Sequence, residues 1–172
     1  QQGKYDDLLI YIGGLSEQFN QLTQFINTGN TAIDALVTNK LLITSKNNIP
    51  TNVSIQLPET LPISTLDFSA LLANLLDNAI EACQRLSEKQ KSNSYIDLRV
   101  EPKLGMLSLH ITNSSDGVYN FSDKQLASRK KEGDHGLGLK RVKSIVKAAN
   151  GFIEIKPGDN IFTVNILIPL NS

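Results

Sequence analysis

The chain has almost no cysteine, no net charge and no long apolar run. One cysteine among 172 residues, Cys83, excludes an internal disulfide and a multi-thiolate metal site, and fits a reducing compartment. It falls within an apolar helical pattern, which reads as a buried, inert thiol rather than a nucleophile. Lys plus Arg and Asp plus Glu number 17 each, so general attraction to nucleic acid or anionic lipid is not expected. The local exception is the cluster Arg129, Lys130 and Lys131. No stretch reaches the roughly 18 to 20 apolar residues needed to cross a bilayer, and no signal peptide, internal repeat or low-complexity segment is visible. What is present is 40% hydrophobic residues over a length that suits one full domain plus a helical extension. The chain opens at Gln1, without Met, directly in a helical pattern, which reads as a piece of something longer.

Leu8, Ile12, Leu15, Phe19, Leu22 and Ile26 are spaced 4, 3, 4, 3, 4, the seam of a coiled coil or bundle. Two readings are open for it: an amphipathic helix packed on its own domain, or a dimer interface. Asn27 to Asn30 break the pattern, and Thr31 to Lys46 reads as a second helix ended by Asn47 and Asn48. Val53, Ile55 and Leu57 alternate as a strand. A helix is predicted over Leu66 to Glu88, then two strands, Ile96 to Val100 and Leu107 to Ile111, joined as a hairpin through Lys103 to Gly105. Asn113 to Gly136 is a long polar stretch with little periodicity. Leu137 to Ala149 reads as a helix with Gly151 as a cap residue, followed by a hairpin of Phe152 to Ile155 and Ile161 to Ile168. This order predicts an α+β fold: a mixed, mostly antiparallel sheet with helices on one face.

Chemistry concentrates in two places. In Leu71 to Cys83, at 100° per residue, Leu72, Leu76, Ala79 and Cys83 fall on one side and Asn74, Asp77, Asn78 and Glu81 on the other. Asn competes with its own helix for backbone hydrogen bonds, so two of them one turn apart at mid-helix is a local inconsistency of the kind that marks sites. The face is either an ordinary solvated surface or a site for a hard cation. Mg²⁺ takes oxygen ligands and is held by few protein oxygens plus phosphates, and Asn78 can offer an amide oxygen. The second place is Gly133 to Leu139, GDHGLGL, running straight into a helix. Glycines allow close backbone approach, and the helix presents its positive dipole end, which suits a polyphosphate; a plain glycine-rich turn is the alternative.

Together LLANLLDNAIEA and GDHGLGL resemble the N box and G2 box of the ATPase superfamily shared by gyrase, the ninety-kilodalton heat-shock chaperone, MutL and the histidine kinases. The resemblance covers about Ile49 to Leu170. It is nearest to peptide-sensing kinases of the accessory-gene-regulator type, a likeness that extends upstream through Asn27 to Lys40. It implies a Bergerat-type α/β sandwich, preceded by a remnant of a dimerisation helix (residues 1–28), with an ATP-binding catalytic domain over residues 29–172. The cofactors implied are ATP and Mg²⁺. Asn78 matches the metal-ligating amide and Asn74 the residue one turn before it, with Asp77 and Glu81 on the same face. Gly136 and Gly138 match the phosphate-contacting glycines of the lid hinge, flanked by His135, Leu137 and Leu139. Asp123 to Asp134 matches the lid, from which Lys130 is expected to reach phosphate.

Hydrolytic members of the superfamily carry a water-activating Glu where this chain has Asn74. An amide is no general base, so a kinase is expected rather than an ATPase. The superfamily's adenine-binding Asp-x-Gly-x-Gly motif is missing; Asn113 aligns with its Asp, with Asp116 as the alternative. Of the two histidines, His110 reads as an outward strand residue and His135 as part of the lid. The phosphoacceptor histidine is therefore absent, and the resemblance puts it on a helix upstream of Gln1. The implied partners are that helix, a response regulator and a second copy of the full-length protein, in the cytoplasmic domain of a membrane-anchored bacterial sensor. A noncatalytic, decayed kinase domain serving as a dimeric scaffold is the alternative.

Overall fold

The computed structural model describes residues 26–122, 125–127 and 137–170. Apart from Ile26, the seam expected over Tyr5 to Ile26 lies outside the described residues. The elements in chain order are α1 (Thr31–Lys46), β1 (Thr51–Ile55), α2 (Thr65–Gln84), a short α3 (Glu88–Lys91), β2 (Ile96–Lys103), β3 (Met106–Ser114), β4 (Asn120–Ser122), β5 (Gln125–Ala127), α4 (Leu137–Ala148), β6 (Phe152–Pro157) and β7 (Ile161–Pro169).

Helices α1 and α2 each begin on a side-chain cap. The Asn30 carboxamide accepts from the Ala32 and Ile33 amides, and the Ser64 hydroxyl accepts from the Asp67 amide at 3.1 Å. Asn150, at φ 50°, takes the left-handed conformation after α4, and Gly151 donates its amide to the Val146 carbonyl at 2.8 Å. The left-handed residue is therefore Asn150, not Gly151. Gly151 is required for another reason: a Cβ there would sit 2.6 Å from the Leu167 carbonyl oxygen. Asn48, at φ 53°, closes α1 in the same manner, with Ile49 donating to the Thr44 carbonyl. The helix expected to run on to Glu88 stops at Gln84. Ser87 starts α3 with a capping box, its backbone N–H donating to the Gln90 side chain, so the chain turns through Arg85 and Leu86.

Five strands form one sheet in the order β1-β2-β3-β7-β6. Only β1 and β2 run parallel; the other three pairings are antiparallel. The long polar stretch expected after β3 contains a separate pair, β4 with β5, too short to show alternation in sequence. One face of the sheet is apolar, carrying Leu98, Val100, Leu107, Leu109, Ile111, Val164, Ile166 and Ile168, all buried. It packs against Ile33 and Val37 of α1, Phe68, Leu72, Leu76 and Ala79 of α2, and Val142 and Val146 of α4. This is the two-layer α+β sandwich the sequence predicts. The opposite face is polar. Asn52 and Arg99 bond Asp97, and His110 Nδ1 lies 2.7 Å from Asn165, which in turn donates to Glu154. For Asp97, burial works to raise the pKa, but these partners outweigh it and hold the carboxyl below its ordinary value.

The β2–β3 turn has two residues, Leu104 at φ 52° and Gly105 at φ 74°, both left-handed, the geometry that favours Asn-Gly. Leu104 is 94% exposed, so its side chain gains little from burial to offset the strained backbone. Leu104→Asn is expected to stabilise the domain by about 0.5 to 1 kcal/mol, read as a higher urea midpoint at unchanged slope.

Candidate functional site

Helix α2 buries Leu72, Leu76, Ala79 and Cys83 and turns Asn74, Asp77, Asn78 and Glu81 the other way, all partly exposed. Asn74 donates Nδ2 back to the Ala70 carbonyl at 2.6 Å, one turn earlier. That back-bond consumes the amide's donor end and aims its oxygen away from the helix. The oxygen meets the first turn of α4: a Cβ on Gly138 would lie 2.9 Å from Asn74 Oδ1 and 3.8 Å from Asn78 Nδ2. Gly138 thus lies against both carboxamides at a distance that a side chain would fill.

Asn78 Nδ2 is buried with no hydrogen-bond partner. An unsatisfied buried amide costs about 1 to 3 kcal/mol and calls for an explanation. Among the described residues nothing holds it in its present sense, and a half-turn about its soft terminal torsion presents Oδ1 to the same spot. The α4 backbone adds further donors, because the first four N–H groups of a helix have no intrahelical acceptor. The helix carries Lys140, Arg141, Lys143 and Lys147 and no acid, so its field is positive. Among the described residues no group of three His, Cys, Asp or Glu side chains is placed to hold a metal ion. The two carboxamides and the positive α4 together suit an anion, or a cation that arrives with one.

The remaining sequence-predicted residues divide. Asp77 is turned to the other flank of α2, where Lys40 of α1 reaches its Oδ1 at 2.6 Å. Glu81 lies 4.0 Å from Arg85. Leu139 packs against the core rather than into the cleft. Leu137 opens α4. Lys130, His135 and Gly136 lie outside the described residues. Asn113 is buried in β3 with its Nδ2 donating to the Ser114 carbonyl at 2.8 Å. Asp116 instead accepts from the Val118 amide at 3.1 Å, closing a turn. Cys83 is enclosed, its Sγ 3.6 Å from the Tyr95 carbonyl; burial pushes its thiol up to about 11, so it is no nucleophile at neutral pH.

Two features escaped the sequence reading. Lys40 is one; a single lysine on an amphipathic helix carries no signal. The other is the fastening of residues 115–119 to the β6–β7 turn. Ser115 donates its amide to the Asn160 carbonyl, and the Tyr119 hydroxyl lies 2.9 Å from the Gly158 carbonyl oxygen. Gly117, at φ 71°, lies so close to the Asp159 carbonyl that a Cβ would collide with it.

Residues 63–169 match the GHKL domain family. The chain is similar to the sensor histidine kinase NatK of Bacillus subtilis, 25% identical over 169 residues that cover 95% of this chain and 52% of that protein. It is similar also to the sensor histidine kinase DpiB of Escherichia coli, 30% identical over 128 residues covering 70% of this chain and 22% of that protein. It thus spans about half the length of the first and about a fifth of the second. In fold it is similar to the mycobacterial sensor histidine kinase MprB, with a TM-score of 0.59 at 20% identity, covering 80% of this chain and 93% of that one. The catalytic domain of histidine kinase ThkA is similar at a TM-score of 0.56 and 19% identity, covering 83% and 92%.

Gly138 offers a clean separation of site from stability. Alanine is the better helix former by about 1 kcal/mol, which offsets the cost of displacing the Asn74 oxygen that its methyl would meet at 2.9 Å. Gly138→Ala is expected to leave the thermal midpoint unchanged or raised, while the filled cleft loses its ligand, read by titration calorimetry.

Proposed function

Because the chain belongs to the GHKL domain family and is similar to sensor histidine kinases, we propose that it is the kinase domain of a two-component sensor, passing the γ-phosphate of ATP to a histidine upstream of Gln1 for relay to a response regulator. The observation that carries the reading is the convergence of Asn74 and Asn78 on side-chain-free Gly138.

In this reading the α4 N-terminus supplies backbone donors to the phosphate chain, with the positive helix behind them. Asn74, held by its back-bond to Ala70, keeps its oxygen fixed at the mouth of the cleft. It fixes geometry and takes no proton, which fits transfer to a histidine better than activation of water. Asn78 is the residue that would hold Mg²⁺. Its orphaned amide fits that role, and so does a site whose metal must draw its other ligands from phosphate and water. The ion, when bound, screens the charge of the transferring phosphoryl group. Asn113, its Nδ2 bonded to Ser114, is proposed to accept from the adenine amino group, and Lys130, His135 and Gly136 are proposed to contribute to the nucleotide site.

The wider assignments extend the same reading. Residues 1–28 belong to a dimerisation helix and residues 29–172 to the catalytic domain, in a protein that works as a homodimer. No described helix is long and apolar enough to cross a membrane. We place the domain on the cytoplasmic side of a membrane-anchored bacterial sensor.

The test is thermal unfolding with and without Mg-ATP. Ligand at about a hundred times Kd should raise the midpoint by roughly 5 to 10 °C, and Asn78→Ala should remove the rise. No shift at millimolar nucleotide would leave a noncatalytic scaffold, the reading that the uncharged Asn113 favours. Incubated with labelled ATP, this chain alone should incorporate no phosphate, whereas the protein extended upstream through the acceptor helix should.

A further inference from the structure

The polar stripe of α2 carries two carboxylates, Asp77 and Glu81, beside the carboxamides of Asn74 and Asn78. Bare carboxylates next to a phosphate site repel the ligand. Asp77 lies about 100° round the helix from Asn78, on the flank that faces α1. From that flank Lys40 brings its ammonium to 2.6 Å from Asp77 Oδ1. The lysine side chain is only 16% exposed against 48% for Asp77, so the cation is inserted between the two helices rather than trailing in solvent.

Helix α1 does not need this pair in order to dock. Ile33 and Val37 are fully buried beneath it. Asn30 donates to Thr65 at 3.4 Å at the start of the two helices, and Gln84 donates to Asn47 at 2.9 Å at their ends. The three polar links rise together in number, so α1 and α2 run parallel, and the Lys40–Asp77 pair sits midway, level with the carboxamides. On the opposite flank stands α4, with its own cations.

We infer that Lys40 is a positioning residue of the nucleotide site: acting through Asp77, it cancels the carboxylate next to Asn78 so that a phosphate chain can approach the two carboxamides. The inference rests on the nucleotide-binding reading above. The ligand class is a nucleoside polyphosphate, and the effect grows with each phosphate.

The experiment is calorimetric titration of the full chain with ATP, ADP and adenosine in the presence of Mg²⁺. Four proteins are compared: wild type, Lys40→Met, Asp77→Asn and the double variant. Methionine keeps the packing of the lysine stem and removes the charge. Lys40→Met should weaken ATP roughly three- to tenfold, ADP less, and adenosine not at all. Adding Asp77→Asn should restore ATP affinity to within about twofold of wild type. Asp77→Asn alone should tighten ATP and leave adenosine unchanged, and it reads the same interaction should Lys40→Met fail to fold. All of these differences should shrink in high salt. Equal losses for the three ligands, no loss, a double variant as weak as Lys40→Met, or an Asp77→Asn protein that binds ATP less well would each overturn the inference. A wild-type chain that binds none of the three would instead overturn the nucleotide reading on which it stands.

Discussion

In the first turn of α4, a residue with no side chain lies against two carboxamides of α2. Any other residue at Gly138 would put a carbon 2.9 Å from the Asn74 oxygen and take up the space between the helices. The rest of the arrangement serves that approach. The sheet sets the height of α2 through Leu72, Leu76 and Ala79, and Val142 and Val146 seat α4 on the same core. With both helices fixed from below, the gap between their upper faces is not adjustable by side-chain motion alone. Asn74 turns its donor inward to Ala70, and the Asn78 donor is left with nothing. A helix face that ordinary folding would fill with Glu, Lys or Gln instead holds, in Asn78, a carboxamide whose nitrogen has no partner among the described residues.

Charge is arranged around this gap with a direction. Cations of α4 stand on one side and Lys40 on the other, while Asp77 and Glu81 each face a basic partner at 2.6 and 4.0 Å. A chain of zero net charge therefore presents a local surface that is far from neutral. The outer face of the sheet, by contrast, spends its charges on one another: Asp97 on Arg99, Glu154 on Lys156.

How much of this could be read beforehand follows from which contacts are local. The two faces of α2 are fixed by a 3.6-residue period, and the oddness of Asn at mid-helix is a property of the sequence itself, so both were legible. So was the hairpin of β2 with β3, because Leu98, Val100, Leu107, Leu109 and Ile111 alternate cleanly. The end of α2 was not, since Leu86 to Lys91 keeps helix-forming residues and only Ser87 with Gln90 marks the restart. Asn150 took the left-handed position that Gly151 seemed made for, because Gly151 was needed against a strand far away in sequence. Leu104 at φ 52° contradicts every local preference for its turn. Lys40 matters only through a residue of another helix, and no pattern along α1 could announce it.

The parallel pairing of β1 with β2 has a kinetic side. Parallel neighbours cannot be joined by a tight turn, and here the crossover between them is α2 itself. Strand β1 therefore finds its place only once the carboxamide helix has settled on β2 and β3, whereas β2 with β3 and β6 with β7 can zip as hairpins from local encounters. The same span of chain that carries Asn74 and Asn78 also closes the long loop between β1 and β2. Amide protons of β1 should consequently be released to solvent in the same cooperative unit as those of α2, making the edge strand a reporter on the integrity of a site it never touches.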